Sequence, residues 1–153
     1  MVNDFTDKAV AEWKKTTNTI SYTADDGIKF DDVVDALSKL AFEDETQLFM
    51  LIGTDTLGDL RKNLNDDLKY VESFVKTGYI GSVCGVPVYV TKALNGSKTA
   101  IISTKEAVTL FIKKDTEIEQ NREPNIRKNE VYARKVSVVA LTDATKCVTL
   151  IGA

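Results

Sequence analysis

The sequence predicts an α+β fold: a mixed β-sheet with flanking helices, carrying an extended two-stranded β-ribbon arm and an N-terminal helix. Three observations predict it. Phe30, Val33, Val34, Leu37 and Leu40 recur at the spacing of one helical face. Residues 48–52 (LFMLI) form a continuous apolar run closed by Gly53, the length of a buried strand. Residues 116–120 and 131–136 have the look of paired strands that start from apolar sequence and then turn polar. With 43% hydrophobic residues among 153, the chain has enough apolar side chains to build one real core.

Taken in order, residues 4–16 place Phe5, Ala9, Ala11 and Trp13 among charges at loose helical spacing. Residues 18–23 (NTISYT) form a short extended piece, and Ala24-Asp25-Asp26-Gly27 makes a turn. The helix from Phe30 follows, with Asp31 and Asp32 suited to its positive end. After LFMLI, Thr54 or Asp55 caps a helix whose inner face is Leu57, Leu60 and Leu64. Residues 65–78 hold no sustained period and predict an excursion that leaves the core and returns. Residues 86–90 (VPVYV) form a strand whose Pro87 indicates an edge or a strand start. Asn95-Gly96 then signals a hairpin to a strand over residues 99–103.

The last third carries most of the information. Residues 107–112 are apolar, but residues 113–120 (KKDTEIEQ) set Lys113, Asp115, Glu117 and Glu119 on one strand face. A polar bend over residues 121–129 leads to a strand over residues 131–141, and residues 147–151 close the chain as an apolar strand. At about 3.3 Å per residue the ribbon arm reaches roughly 20 to 30 Å. Two isolated strands bury too little to offset the entropy of ordering them, so an outside surface is expected to support them. The candidate contact residues are Asp115, Glu117, Glu119, Arg122, Arg127, Lys128, Arg134 and Lys135, whose mixed signs suit a polar contact with a neighbouring subunit. An ordinary edge hairpin with solvated charges is the plain alternative.

Several functions are disfavoured. The 20 basic residues against 23 acidic ones provide no field for wholesale nucleic-acid binding. There is no histidine, which removes the commonest general base and metal ligand. The pairs Asp25/Asp26, Asp31/Asp32 and Asp66/Asp67 are neighbours along the chain and diverge, unlike a catalytic dyad. Gly78, Gly81 and Gly85 miss both nucleotide-binding glycine patterns. Cys84 and Cys147 are expected to be free thiols in apolar surroundings. No apolar run has the length of a membrane span, and residues 1–15 lack a signal-peptide core, which predicts a cytosolic protein. No catalytic residue, metal site or cofactor is expected.

The serial order of FDDVVDALSKL, FEDE, LFMLI, TDTLGDLRKN, GVPVYVTKAL and TAIIS, ending in TLFIKKDTEIEQNREPNIRKNEVYARKVSVVALTDATKCVTLIG, resembles the major capsid proteins of tailed phages, the Hong Kong 97-type fold. The resemblance implies a head-shell subunit that self-assembles into an icosahedral shell around the genome, in the virion and, before assembly, in the host cytoplasm. It divides the chain into a peripheral-domain helix and linker (1–29), an axial domain (30–114 with 138–153) and a peripheral β-ribbon (115–137). Copies of itself, in pentamers and hexamers, are the implied partners, with scaffold, protease or portal proteins, packaged DNA only indirectly, and no membrane. The family's N-terminal arm, extended loop and spine helix have no room ahead of Phe30, so a fragment or shortened relative is expected. Asn129 resembles the asparagine that some members cross-link, but Val136 stands where the assisting acid belongs, and no cross-link is expected. The alternatives are an encapsulin-like compartment shell and a small α+β ligand-binding module that uses the residue 65–78 excursion.

Overall fold

The run LFMLI has no polar face to give to water, and the fold places it in the interior of a sheet. In the computed structural model, which describes residues 2–40, 47–64, 81–123, 125 and 128–153, the chain opens with helix α1 (Val2–Trp13), strand β1 (Thr19–Tyr22) and helix α2 (Phe30–Ser38). Strand β2 (Leu48–Ile52), helix α3 (Thr54–Asn63) and strands β3 (Ser82–Val83), β4 (Val86–Val90) and β5 (Thr99–Thr104) follow. Strands β6 (Val108–Glu123), β7 (Lys128–Leu141) and β8 (Cys147–Gly152) complete it. Six strands form one mixed sheet in the order β1-β8-β5-β2-β4-β3, while β6 and β7 pair with each other in a separate ribbon. β1 runs parallel to β8 and β2 parallel to β4; the other neighbours are antiparallel.

The sheet is covered on both faces. Leu48, Met50 and Ile52 of β2 join Val33, Ala36 and Leu40, Leu60 of α3, Ile102 of β5 and Val148 and Leu150 of β8 in the main core. The opposite face carries Leu51 and Ile101, which pack with Val10 and Trp13 of α1 and with Leu94. Trp13 meets Phe49 edge to face at 5.7 Å. All six residues of β5 are consequently buried, as expected of a strand with a layer on either side.

The α2 stripe is narrower than its periodicity implies. Val33, Ala36 and Leu40 are buried and Leu37 packs against them, but Phe30 and Val34 remain 47% and 41% exposed. A stripe at i, i+4 drifts about the helix, and a flat sheet accepts only the arc centred on Val33 and Ala36. Asp32 does serve the helix start, accepting the Lys29 N–H at 2.8 Å.

Two local expectations are corrected together. Asn95-Gly96 does not join a hairpin, because β2 lies between β4 and β5 and pairs with both. Nor do Thr54 or Asp55 cap α3, whose N-cap is Gly53 with no side-chain cap of its own. The Asn-Gly turn supplies the cap from across the sheet end: Asn95 Oδ1 accepts the Thr54 N–H at 2.9 Å, and Gly96 N–H donates to Asp55 Oδ2 at 2.9 Å. Gly96 takes the positive φ of 73° that the turn needs. Gly53 is required for a different reason, since a Cβ there would stand 2.7 Å from the Leu94 carbonyl oxygen.

Pro87 lies in β4 beside the short end strand β3, opposite Ser82. Val88 N–H donates to the Gly81 carbonyl at 3.1 Å, so Ser82 and Pro87 face each other without needing an N–H from the proline. Both cysteines are free, with Cys147 buried. The expected excursion over residues 65–78, and the Asp66/Asp67 pair within it, lie outside the described residues.

The cap borrowed from the turn is testable. Asn95→Ala is expected to lower stability by about 1 kcal/mol in urea unfolding, whereas Thr54→Ala changes it by less than about 0.5 kcal/mol. Equal losses at the two positions would contradict the assignment.

Candidate functional site

The ribbon is longer than its sequence suggests. β6 has 16 residues and β7 has 14, so the expected bend over residues 121–129 is strand at both ends and contracts to residues 124–127. Pairing begins at Val108↔Leu141 and continues to Glu123↔Lys128. The apolar root explains this: once Val108, Leu110 and Ile112 are in register with Leu141, Val139 and Ser137, each further pair extends an existing ladder.

Two register shifts interrupt the ladder, between Ile112 and Lys114 and between Lys114 and Glu117. Each places an extra residue on β6. Lys114 is thereby carried to the face of Val136, which Glu117 and Glu119 share through Arg134 and Tyr132. The expected single row of Lys113, Asp115, Glu117 and Glu119 is broken by these bulges. Because the two shifts cancel, Ile112 and Ile118 return to the same face, with Ala133 and Val131 as neighbours.

The ribbon does not fold back on its body. Every residue of 111–120 except Glu117 is exposed, as are Val131, Tyr132, Ala133 and Arg134. The face carrying Leu110, Ile112, Ile118 and Val131 leaves them 46%, 51%, 68% and 64% exposed. On the other face Phe111 and Val138 are 52% and 59% exposed and line a hollow of about 370 Å³ with Val136.

Much of the expected charge is used within the ribbon. Lys114 pairs with Glu117, Lys128 with Glu130, and Lys135 Nζ lies 3.9 Å from Asp115 Oδ1. Glu119 stands opposite Tyr132, whose hydroxyl donates to Glu130 at 2.5 Å. That contact and the stronger one from Lys128 hold the Glu130 carboxyl below the usual carboxylate range, against a small opposing effect of burial. Arg134 faces Glu117 and Arg122 faces Asn129 in the register; Arg127 lies outside the described residues. The sequence reading therefore singled out the charges and missed the apolar stripe. The signal was present as isolated Ile118 and Val131 two positions from charged neighbours, but alternation alone does not tell which apolar residues find a partner in the same chain.

No protein-family model and no curated protein matches the sequence. Solved structures do. A structure of Mycobacterium phage Che8 superposes with a TM-score of 0.76 at 15% identity, over 97% of this chain and 58% of that one. The capsid structure of cyanophage P-SCSP1u gives 0.76 at 13% identity, over 99% of this chain and 62% of that one. The holo-SrpI encapsulin complex of Synechococcus elongatus gives 0.61 at 10% identity, over 88% and 52%. The chain thus spans less than two thirds of the structures it matches. The likeness establishes the fold: the α+β architecture expected from the sequence is the Hong Kong 97-type fold of phage capsid proteins.

Within that fold α1 braces the ribbon. Lys135 Nζ stands over the Phe5 ring, 5.6 Å from its centre, and Glu12 Oε2 accepts the Leu141 N–H at 3.4 Å. The Lys15 ammonium beside Glu12, with a smaller contribution from that backbone N–H, holds its carboxyl below the ordinary value despite opposing desolvation. A lowered carboxylate favours the folded state above its unfolded pKa, and that support is lost as pH falls through the lowered folded value. The fluorescence of Trp13, the single tryptophan, is therefore expected to hold steady through the ordinary glutamate range and to change only below it. In Glu12→Gln that late step disappears; an unaltered acid profile would show that Glu12 does not secure the helix.

Proposed function

We propose that this chain is a shell subunit, the major capsid protein of a tailed phage or prophage, and that it acts by packing against copies of itself and catalyses no reaction. The observation that carries this reading is the free-standing ribbon with an exposed apolar stripe of Leu110, Ile112, Ile118 and Val131. Two strands alone are marginal in water, and fully burying a side chain of this size is worth about 1.5–3 kcal/mol. A neighbouring subunit laid along the stripe supplies that burial.

In this reading the six-stranded sheet with α2 and α3 is the axial domain, whose tips meet at the shell's fivefold and sixfold axes. Residues 115–137 and the opening helix belong to the peripheral domain. β1 goes with the axial part, because it is hydrogen-bonded to β8. The partners are copies of the same chain, in pentamers and hexamers, with scaffold, protease or portal proteins during assembly and DNA only as the enclosed content. Its places are the host cytoplasm before assembly and the virion after it. The eight candidate charges, Asp115, Glu117, Glu119, Arg122, Arg127, Lys128, Arg134 and Lys135, then form the rim of the arm contact and tune its register more than its strength. A compartment shell of the encapsulin kind has the same fold and differs in content, protein cargo in place of a genome.

Electron microscopy and sedimentation of the full-length gene product are expected to reveal large closed particles. Ile118→Asp with Val131→Asp should abolish them while leaving the circular dichroism and unfolding midpoint of the subunit unchanged, since both side chains already face water. A wild-type protein that stays a discrete monomer across a wide concentration range sinks the shell reading, and particles that survive the double substitution sink the role of the stripe.

A further inference from the structure

Away from the ribbon, exposed apolar side chains occur as pairs at two places, and these lie towards opposite ends of the six-stranded sheet. The first is on α2, which packs at the end of the sheet formed by β1 and β8. Phe30 and Val34, one helical turn apart, are 47% and 41% exposed. Asp31 and Asp35 continue the exposed arc around the helix, and neither makes an ion pair among the described residues. The second is at the close of β4, next to the other end of the sheet. Tyr89 and Val90 are 56% and 48% exposed there, because β3 accompanies β4 only at Val86 and Pro87. Lys92 follows immediately, also exposed and in no ion pair among the described residues.

The two patches are complementary to each other and not to themselves. Each has an apolar centre, but one is bordered by carboxylates and the other by an ammonium. Two α2 patches brought together would oppose four carboxylates, which disfavours a twofold contact at that site. One patch against the other on a second copy places Asp31 and Asp35 near Lys92 around a shared apolar centre. Because the patches occupy opposite flanks, this contact is head to tail, and a head-to-tail contact repeats around a ring when its rotation closes.

We propose that the α2 flank of one copy, Phe30 and Val34 with Asp31 and Asp35, docks on the β4 flank of the next copy, Tyr89 and Val90 with Lys92, as the contact that joins neighbouring subunits around a ring. The inference rests on the shell reading and names the second copy's surface that the reading leaves open. It is independent of the ribbon stripe, which lies on other residues.

The test uses the full-length protein in a Cys84→Ser background, since Cys84 is partly accessible and Cys147 is buried. Val34→Cys and Val90→Cys are introduced singly and together, and assembled particles are treated with a short bifunctional maleimide. Particles of the doubly substituted protein are expected to give a covalent ladder ending at the ring size. Particles co-assembled from the two single variants should give mixed dimers, with little linkage of like to like. A charge exchange provides the second readout: Asp31→Lys with Asp35→Lys, or Lys92→Glu, lowers particle yield several-fold, and combining them restores it. Particles that form normally but show no linkage between positions 34 and 90 and no rescue overturn this contact while leaving the shell reading intact. An absence of particles from the unsubstituted protein removes both.

Discussion

The constraint on which the rest depends is that a two-stranded ribbon has two faces and this chain covers only its base. The ribbon's roots lie in the best-buried part of the molecule. β6 follows β5 and β7 precedes β8, and β5 and β8 are neighbours in the sheet. The crossing point is fastened by the Ala107 carbonyl, which accepts the Thr142 N–H at 2.8 Å and the Asp143 N–H at 3.2 Å, and by a 2.7 Å bond between the hydroxyls of Thr142 and Thr109. The arm thus emerges from two adjacent core strands, and its direction is set by the register of the core. A protrusion anchored in this way presents the same surface in every copy, which a flexible loop does not, and less ordering entropy remains to be lost when it docks.

Polar and apolar groups divide the work along the arm. The ion pairs Lys114–Glu117, Asp115–Lys135 and Lys128–Glu130 are exposed pairs of the kind that contribute at most about 1 kcal/mol each. They keep the unassembled arm soluble and mark its edge against sheet-to-sheet pairing. The bulges serve the same division. Two cancelling shifts displace only the polar stretch between Ile112 and Glu117, and the apolar stripe resumes on its original face at Ile118. The arm bends or twists locally without losing the continuity of the surface that contacts another chain.

What could be seen in the sequence follows from how local the governing physics is. LFMLI declared itself because a run with no polar face has to be interior, and β2 is central with Leu48, Met50 and Ile52 buried. The α2 helix was equally visible, but not which of its apolar residues face the sheet, because that depends on how a cylinder rests on a twisted surface. Asn95-Gly96 was legible as a turn and not as to what it joins. A hairpin signal is local, whereas the insertion of β2 between β4 and β5 is a property of the whole topology. The ribbon was read too short because Glu, Lys and Asn have low strand propensity, and pairing to an established apolar root overrode it. The candidate charges were legible as residues but not as partners of one another, since cross-strand pairs depend on bulges that no spacing announces.

The same reasoning explains why chains of such low identity share this architecture. What the fold requires is a pattern: interior strands apolar on both faces, helices with one stripe, and a ribbon rooted in adjacent strands. Many side chains satisfy each requirement, so identities drift while the topology persists. The surfaces between copies obey a different rule. A contact repeated around a ring must match its own neighbour's residues and no one else's, so Phe30 and Val34 with their carboxylates have to change together with Tyr89, Val90 and Lys92. Interfaces of this kind are expected to be idiosyncratic to each chain even when the fold is common, and that is why the side chains exposed outside the core, and not those within it, distinguish one such subunit from another.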